Sequence, residues 1–390
     1  MKLQPVMINS VGTRRVLTPP PPYDLSLIIT ILSLLGFGLL MVASASIVVS
    51  DHQLHQPFYF LIKQLVYLMA GFVIGGFVVQ FDIDFWEKSG GTVLITAMLL
   101  LALVLFPGIG HAVNGSTRWI GLGFIGIQVS ELAKLAVVIY MAGYLIRCNA
   151  EIKLNLVGFV KPMALLGIIL VLLLREPDFG AAVVIITTAL GMMFLAGMRL
   201  RYFIVMLGIA IGGLSFLAIS APYRLLRLTS FLNPWAHPFN SGYQLTQSLI
   251  AFGRGGWFGV GLGNSIQKLF YLPEAHTDFL FAVIAEELGL AGIIAVILLF
   301  TFLVVKIFMI GRQSQRLSRH FAGYMAYGFG LWFAIQFTVS MGVNSGLLPT
   351  KGLTLPLMSY GGSSMLVNCI TIAILLRIDY ENRMLSVGLR

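Results

Sequence analysis

The sequence predicts an all-α polytopic membrane protein of about ten transmembrane helices, with one large polar loop between spans seven and eight. Of its 390 residues, 58% are hydrophobic and only 10% are charged, and the mean hydropathy is +0.92. A soluble domain carries about a quarter charged residues. The net charge of +10 does not point to nucleic acid, because the basic residues are spread over short connections rather than gathered on one face.

Taken in order, a polar tail over residues 1–23 ends in the run Pro19 to Pro22, a stiff spacer. It has no short apolar core followed by a small-residue cleavage site, so no removable signal peptide is expected. Apolar runs long enough to cross or nearly cross a bilayer follow at 24–49, 61–80, 91–107, 128–147, 157–174, 179–198, 202–220, 279–307, 322–343 and 353–377. They form one transmembrane domain over 24–380, followed by a tail at 381–390. The connection at 107–127 is too apolar for a plain loop and is expected to lie on or dip into the outer leaflet. The 221–278 connection is rich in turn formers and amphipathic pieces, and nothing on the opposite side compares with it. Function is therefore expected to face that side.

An even number of spans places both termini on one side. Sixteen Lys and Arg residues fall in the segments on the terminal side and seven on the other, so both termini are predicted cytoplasmic.

Several motifs have structural explanations. Gly121, Gly123 and Gly126 match GxGxxG, but without the strand and crossover helix of a soluble nucleotide-binding sheet. Gly71 and Gly75 read as close helix packing in lipid. His52 and His55 lack a third nearby ligand. Cys148 at a span edge and Cys369 inside a span are poor disulfide partners.

The stretch YLPEAHTDFLFAVIAEE over residues 271–287 carries the densest cluster of chemistry: Glu274, His276, Asp278, Glu286 and Glu287. Asp278 is expected at the membrane boundary, with the two glutamates about two turns deeper in the same helix. Eight residues along a helix is roughly 80° around it and nine roughly 180°, so Glu286 is expected to share a cavity with Asp278 and Glu287 to pair with a neighbouring helix. His276 either orients Asp278, binds an anionic group, or is a hydrogen-bonded structural histidine. Arg118, Lys134, Arg175 and Lys351 supply cations on the same side. Lys134 lies within a span and needs a counter-charge, for which Glu131 and Glu286 are the candidates. A boundary carboxylate, cations and apolar walls suit an enzyme acting on a lipid-linked anionic substrate, or a transporter.

The stretches NGSTRWIGLGFIGIQVSELAKL, REPDFG, YRLLRLTSFLNPWAHPFNSGYQLTQSLIAFGRGGWFGVGLGNSIQKL, YLPEAHTDFLFAVIAEELG and NSGLLPTKGLTLPLMSYGGSS, in this order, closely resemble the SEDS family of bacterial cell-wall polymerases, FtsW and RodA, over residues 24–380. The LPTKG and YLPEAHTDF forms resemble the cell-division branch. Val129 and His237 depart from the proline and aspartate common in the family, which bears on local loop geometry. The resemblance implies a peptidoglycan glycosyltransferase of the bacterial inner membrane at the division septum, which polymerises lipid II into β-1,4 glycan strands. It implies Asp278 as the catalytic base, with Arg118, Lys134, Arg175 and Lys351 beside the pyrophosphate and Glu286 and His276 as neighbouring substrate-site residues. A lipid II flippase or a non-catalytic division scaffold is the alternative. A divalent cation, Mg or Mn, is implied without a dedicated metal cage, bridging Asp278 and the pyrophosphate, and no organic cofactor is implied. The implied partners are a class B penicillin-binding protein transpeptidase and other divisome membrane proteins.

Overall fold

The computed structural model describes residues 23–113, 116–122, 125–154, 157–219, 229–350 and 352–387. Helices dominate. Helix α1 spans Leu25–Leu54, α2 Tyr59–Val78, α3 Ile83–Val104, α4 Val129–Arg147, a short α5 Asn149–Leu154, α6 Val157–Arg175, α7 Phe179–Leu195 and α8 Leu200–Ile219. After the large connection come α9 Tyr243–Gly255, α10 Leu280–Arg316, α11 His320–Asn344 and α12 Gly362–Ser386. Eight of these are long and apolar enough to cross a membrane, and α7 and the Leu200–Gly213 part of α8 are shorter apolar helices. These are the ten expected spans.

The start of α1, the second half of α10 and the end of α12 meet at one face. Asp24 caps α1 through its carboxylate, which accepts from the Ser26 and Leu27 amides, and it is paired with Lys306 at 3.0 Å and Arg383 at 3.5 Å. Burial raises the Asp24 carboxyl, but hydrogen bonds from Ser26 and Lys306 outweigh it and hold the group down at about 2. The core is densest around α4, α7, α10, α11 and α12, with Trp332, Phe329, Phe333 and Phe300 fully enclosed. By contrast α2 and α3 leave one face of large apolar side chains exposed, as lipid-facing helices do.

Three segments differ from the sequence reading. The 107–127 connection forms a small antiparallel sheet, β1 Gly110–Val113, β2 Ser116–Leu122 and β3 Ile125–Gln128, in the order β1-β2-β3. Of the GxGxxG match, Gly121 lies on β2 and Gly126 on β3, facing each other across the antiparallel strands. A Cβ on Gly126 would sit 3.2 Å from the Trp119 ring, and one on Gly121 3.1 Å from His111, so these glycines leave room for aromatic side chains.

The helix of the tenth span, α12, begins at Gly362, not near 353. The apolar run before it contains Gly352, Pro356 and a Gly361–Gly362 pair, which break helix, so 352–361 runs as irregular backbone with Leu353, Leu355, Leu357 and Met358 buried. Hydropathy detects burial but not backbone shape.

Helix α10 begins after Asp278 and is broken at Gly289, whose φ of 64° lies in the left-handed region. Asp278 therefore lies outside the helix that carries Glu286 and Glu287. The angular argument that placed Asp278 and Glu286 on one face does not apply.

Candidate functional site

Four sequence-distant segments converge on the face opposite Asp24 and Arg383. The Asp278 carboxylate lies against the backbone of the 352–355 segment, so closely that a Cβ on Gly352 would sit 2.6 Å from Asp278 Oδ2. The same segment meets the turn before α7, where a Cβ on Gly180 would lie 3.0 Å from Leu353 Cδ2 and 3.4 Å from the Gly352 carbonyl. That turn, Glu176 to Asp178, is held by Arg118 from β2, which donates to the Glu176 carbonyl at 3.2 Å and the Pro177 carbonyl at 2.7 Å. Asp178 caps α7 and accepts from Ser130 at 2.8 Å.

His276 lies between aromatic rings, 4.5 Å from Phe60 and 5.5 Å from Tyr360 between ring centres, and its carbonyl accepts from the Tyr360 amide at 3.0 Å. Burial lowers its pKa, which favours the neutral imidazole over a cation that would grip phosphate. Gln64 on α2 clamps the same turn, donating to the Ser359 carbonyl at 3.2 Å and accepting from Gly361 at 3.3 Å.

Lys134 is buried within α4, bonded to Glu131 at 2.8 Å and Gln336 at 2.9 Å, with its ammonium 5.1 Å from the centre of the Trp332 ring. Of the two carboxylates weighed as its partner, Glu131 is the one it meets. Gln336 continues the connection by donating to the Thr354 carbonyl at 2.9 Å, so Lys134 is tied to the segment beside Asp278 through its neighbours. Arg175 is exposed in the last turn of α6. Lys351 lies outside the described residues, as do Arg224 and Arg227.

Glu286 does not open into a cavity with Asp278. It is fully buried, and its oxygens accept from Arg254 at 3.1 Å, Ile266 N–H at 3.1 Å, Gln267 N–H at 3.2 Å and the Ser265 hydroxyl. The loop satisfies this carboxylate and the carboxylate fixes the loop. Glu287 pairs with Lys268 at 2.7 Å and accepts from Ser44 on α1 at 2.7 Å, so it does reach a neighbouring helix.

Sequence reasoning missed Gln64; Glu176 at the end of a span and Gly352 beside Lys351 are visible in the sequence, but the enclosure of the one and the contact of the other with Asp278 are not. Glu176 is fully buried, with both carboxylate oxygens lacking a hydrogen-bond partner. Burial first, and the neighbouring Asp178 second, push its carboxyl up to about 8, against the opposing pull of Arg118. An acid after an arginine at a helix end gives no sequence signal of such enclosure. Among the described residues, no group of three or more His, Cys, Asp or Glu side chains could hold a metal ion. The chemistry of a lone carboxylate such as Asp278 would fit sharing a hard divalent cation with a phosphate rather than caging one.

The FtsW/RodA/SpoVE family, described as cell cycle protein, matches residues 25–384. A relative from Legionella pneumophila, named probable peptidoglycan glycosyltransferase FtsW, is 57% identical, with 100% of this chain and 98% of the relative covered. A relative of the same name from Coxiella burnetii is 57% identical over 92% of this chain and 96% of its own. Among solved structures, a chain described under "Structural coordination of polymerization and crosslinking by a peptidoglycan synthase complex" superposes with a TM-score of 0.77 at 26% identity, covering 92% of this chain and 98% of that one. The rod shape determining protein RodA of Thermus thermophilus superposes with a TM-score of 0.67 at 26% identity, covering 93% and 97%.

Proposed function

We infer the reaction from one premise: this chain belongs to the FtsW/RodA/SpoVE family and is a multi-pass membrane peptidoglycan glycosyltransferase of septal cell-wall synthesis. The substrate is lipid II, a disaccharide-peptide on undecaprenyl pyrophosphate. Asp278 is the general base. It takes the proton from the 4-hydroxyl of the acceptor GlcNAc as that oxygen attacks C1 of a lipid-linked MurNAc; the C1–O bond breaks, undecaprenyl pyrophosphate leaves, and inversion gives a β-1,4 link.

The observation that carries this reading is the position of Asp278. It is an acidic side chain just outside a helix, packed against the backbone of Gly352 where three other motif segments converge. A base must be fixed yet reachable, and Asp278 is partly exposed while Glu286 and Glu287 are not.

Arg175 is the described cation best exposed to meet the leaving pyrophosphate, with Lys351 as its counterpart beside Gly352. Arg118 and Lys134 act on the substrate site by holding the 176–178 turn and the 352–355 segment. A Mg or Mn ion, shared by Asp278 and the pyrophosphate, would neutralise charge on the leaving group. Both termini are cytoplasmic and the site faces the periplasm, in line with the Lys and Arg distribution. The enzyme works at the division septum of the inner membrane beside a class B penicillin-binding protein and other divisome proteins; support comes from the solved relative, which is described in terms of coordinated polymerization and crosslinking.

The test is polymerisation of purified lipid II by the purified protein with its partner. Wild type makes glycan strands, whereas Asp278→Ala and Asp278→Asn lose at least about a hundredfold in rate. Strand synthesis by either folded variant at the wild-type rate would remove Asp278 from the base role. Failure of wild type to polymerise, with lipid II instead moved across the bilayer, would favour a flippase.

A further inference from the structure

A general base has to be held close to the geometry of attack, and a misplacement of about 1 Å can cost about a hundredfold in rate. Asp278 precedes Phe279 and the first turn of α10, and follows an irregular turn in which Glu274 adopts φ 57°. No regular helix fixes its main chain. The Asn344 side chain, from the last residue of α11, meets it there.

Asn344 Nδ2 donates to the Asp278 carbonyl at 2.9 Å and to the Ser340 carbonyl at 2.8 Å, while Asn344 Oδ1 accepts from the Ala282 amide at 3.1 Å. The side chain thus spans the turn from Asp278 to the start of α10. Its orientation follows from its partners, since two carbonyl oxygens require the NH2 end and an N–H requires the oxygen end. Asn344 is fully buried, and its own carbonyl accepts from the Ser248 hydroxyl on α9 at 2.6 Å.

We propose that Asn344 is a positioning residue for glycan synthesis: its amide fixes the main chain of Asp278 and, through Ser248, ties that residue to α9. This rests on Asp278 being the base. Aspartate has the size of asparagine but, when ionised, donates nothing and turns a second oxygen toward two carbonyls. Protonated, it donates once, so in neither state can it make both donations to the Asp278 and Ser340 carbonyls; a donor role shows as a loss in kcat at unchanged KM in the folded protein.

The experiment measures lipid II polymerisation and thermal unfolding for the full-length Asn344→Asp, Asn344→Ala, Ser248→Ala and Asp278→Ala variants. Both Asn344 variants are expected to lose about 10- to 100-fold in kcat, with KM within about threefold, and Asn344→Asp is expected to melt below wild type because it buries a carboxyl against two carbonyls. Ser248→Ala keeps the amide and removes only its outer anchor, so its kcat falls less, by about two- to fivefold. Turnover within about twofold of wild type in Asn344→Asp, or a loss confined to KM, overturns the proposal. If neither Asn344 variant folds, unchanged kcat in Ser248→Ala overturns it. Normal turnover in Asp278→Ala would instead sink the base assignment, whereas an inactive Asp278→Ala beside a fully active Asn344→Asp sinks the positioning role alone.

Discussion

Asp278, Glu286 and Glu287 lie close together in sequence and meet three different environments. Glu286 is enclosed by loop amides and Arg254, Glu287 by Lys268 and Ser44, and only Asp278 keeps part of its surface exposed. Residue type alone could not separate them. Gly352 matters because of the carboxylate it touches: its φ is not in the left-handed region, so alanine is allowed by the backbone and excluded only by the 2.6 Å approach to Asp278. Gly352→Ala is therefore expected to fold and to lose about tenfold or more in turnover, checked by lipid II polymerisation beside a thermal melt. Glu176 gives a prediction in pH. Its folded pKa of about 8 lies above the ordinary glutamate value of 4.5, so the unfolded chain releases its proton first as pH rises. Stability is then lost between those two values and levels off above the upper one. Glu176→Gln removes the titration; its melting temperature in detergent should match wild type at acidic pH and exceed it increasingly toward pH about 8. A constant difference across that range would show that Glu176 is not held protonated.

At the scale of elements, the break in α10 is met by the loop that follows α9. Around Gly289 the freed carbonyls of Glu286 and Glu287 accept from Val260 and Gly261, each at 3.0 Å, and the amides of Leu290 and Ala291 donate to Gly256 at 2.9 Å and Trp257 at 3.1 Å. Unpaired backbone groups at membrane depth would each cost several kcal/mol, so the loop and the break require one another. Glycine makes the approach possible: a Cβ would lie 1.9 Å from the Ala285 carbonyl at Gly255 and 2.1 Å from the Glu287 carbonyl at Gly259. Gly255→Ala must push backbone from backbone. It is expected to cost about 1–3 kcal/mol or more and to lower the melting temperature while reducing turnover, because Asp278 lies in the turn just before the same half-helix. A variant with an unchanged melt would show that the loop can withdraw without consequence. The run FGRGGWFGVGLGN reads in sequence as a turn-rich surface loop, and nothing in it names the helix break it covers.

For the whole molecule, the two faces are fixed by contacts far apart in sequence. Asp24 meets Lys306 at one face and Ser44 meets Glu287 at the other. About twenty residues separate these contacts along each helix, about 30 Å, one hydrocarbon thickness. Helix α10, with 37 residues, is longer than that and begins beyond the boundary that Glu287 marks, with Asp278 in the turn before it. Composition and hydropathy were enough for the helical class and the ten apolar segments, because transferring apolar surface into lipid is a local, additive property of the chain. The family motifs were legible as strings. Which motif residues touch was not. The meeting of Arg118 with the 176–178 turn, of Gly352 with Asp278, and of Asn344 with the start of α10 depends on helix breaks and irregular segments that bring distant residues within hydrogen-bond reach. Hydrophobicity along one chain therefore determined what spans the membrane, and only the tertiary structure decided which carboxylate remains reachable, because reachability depends on how every other polar group around it has been satisfied.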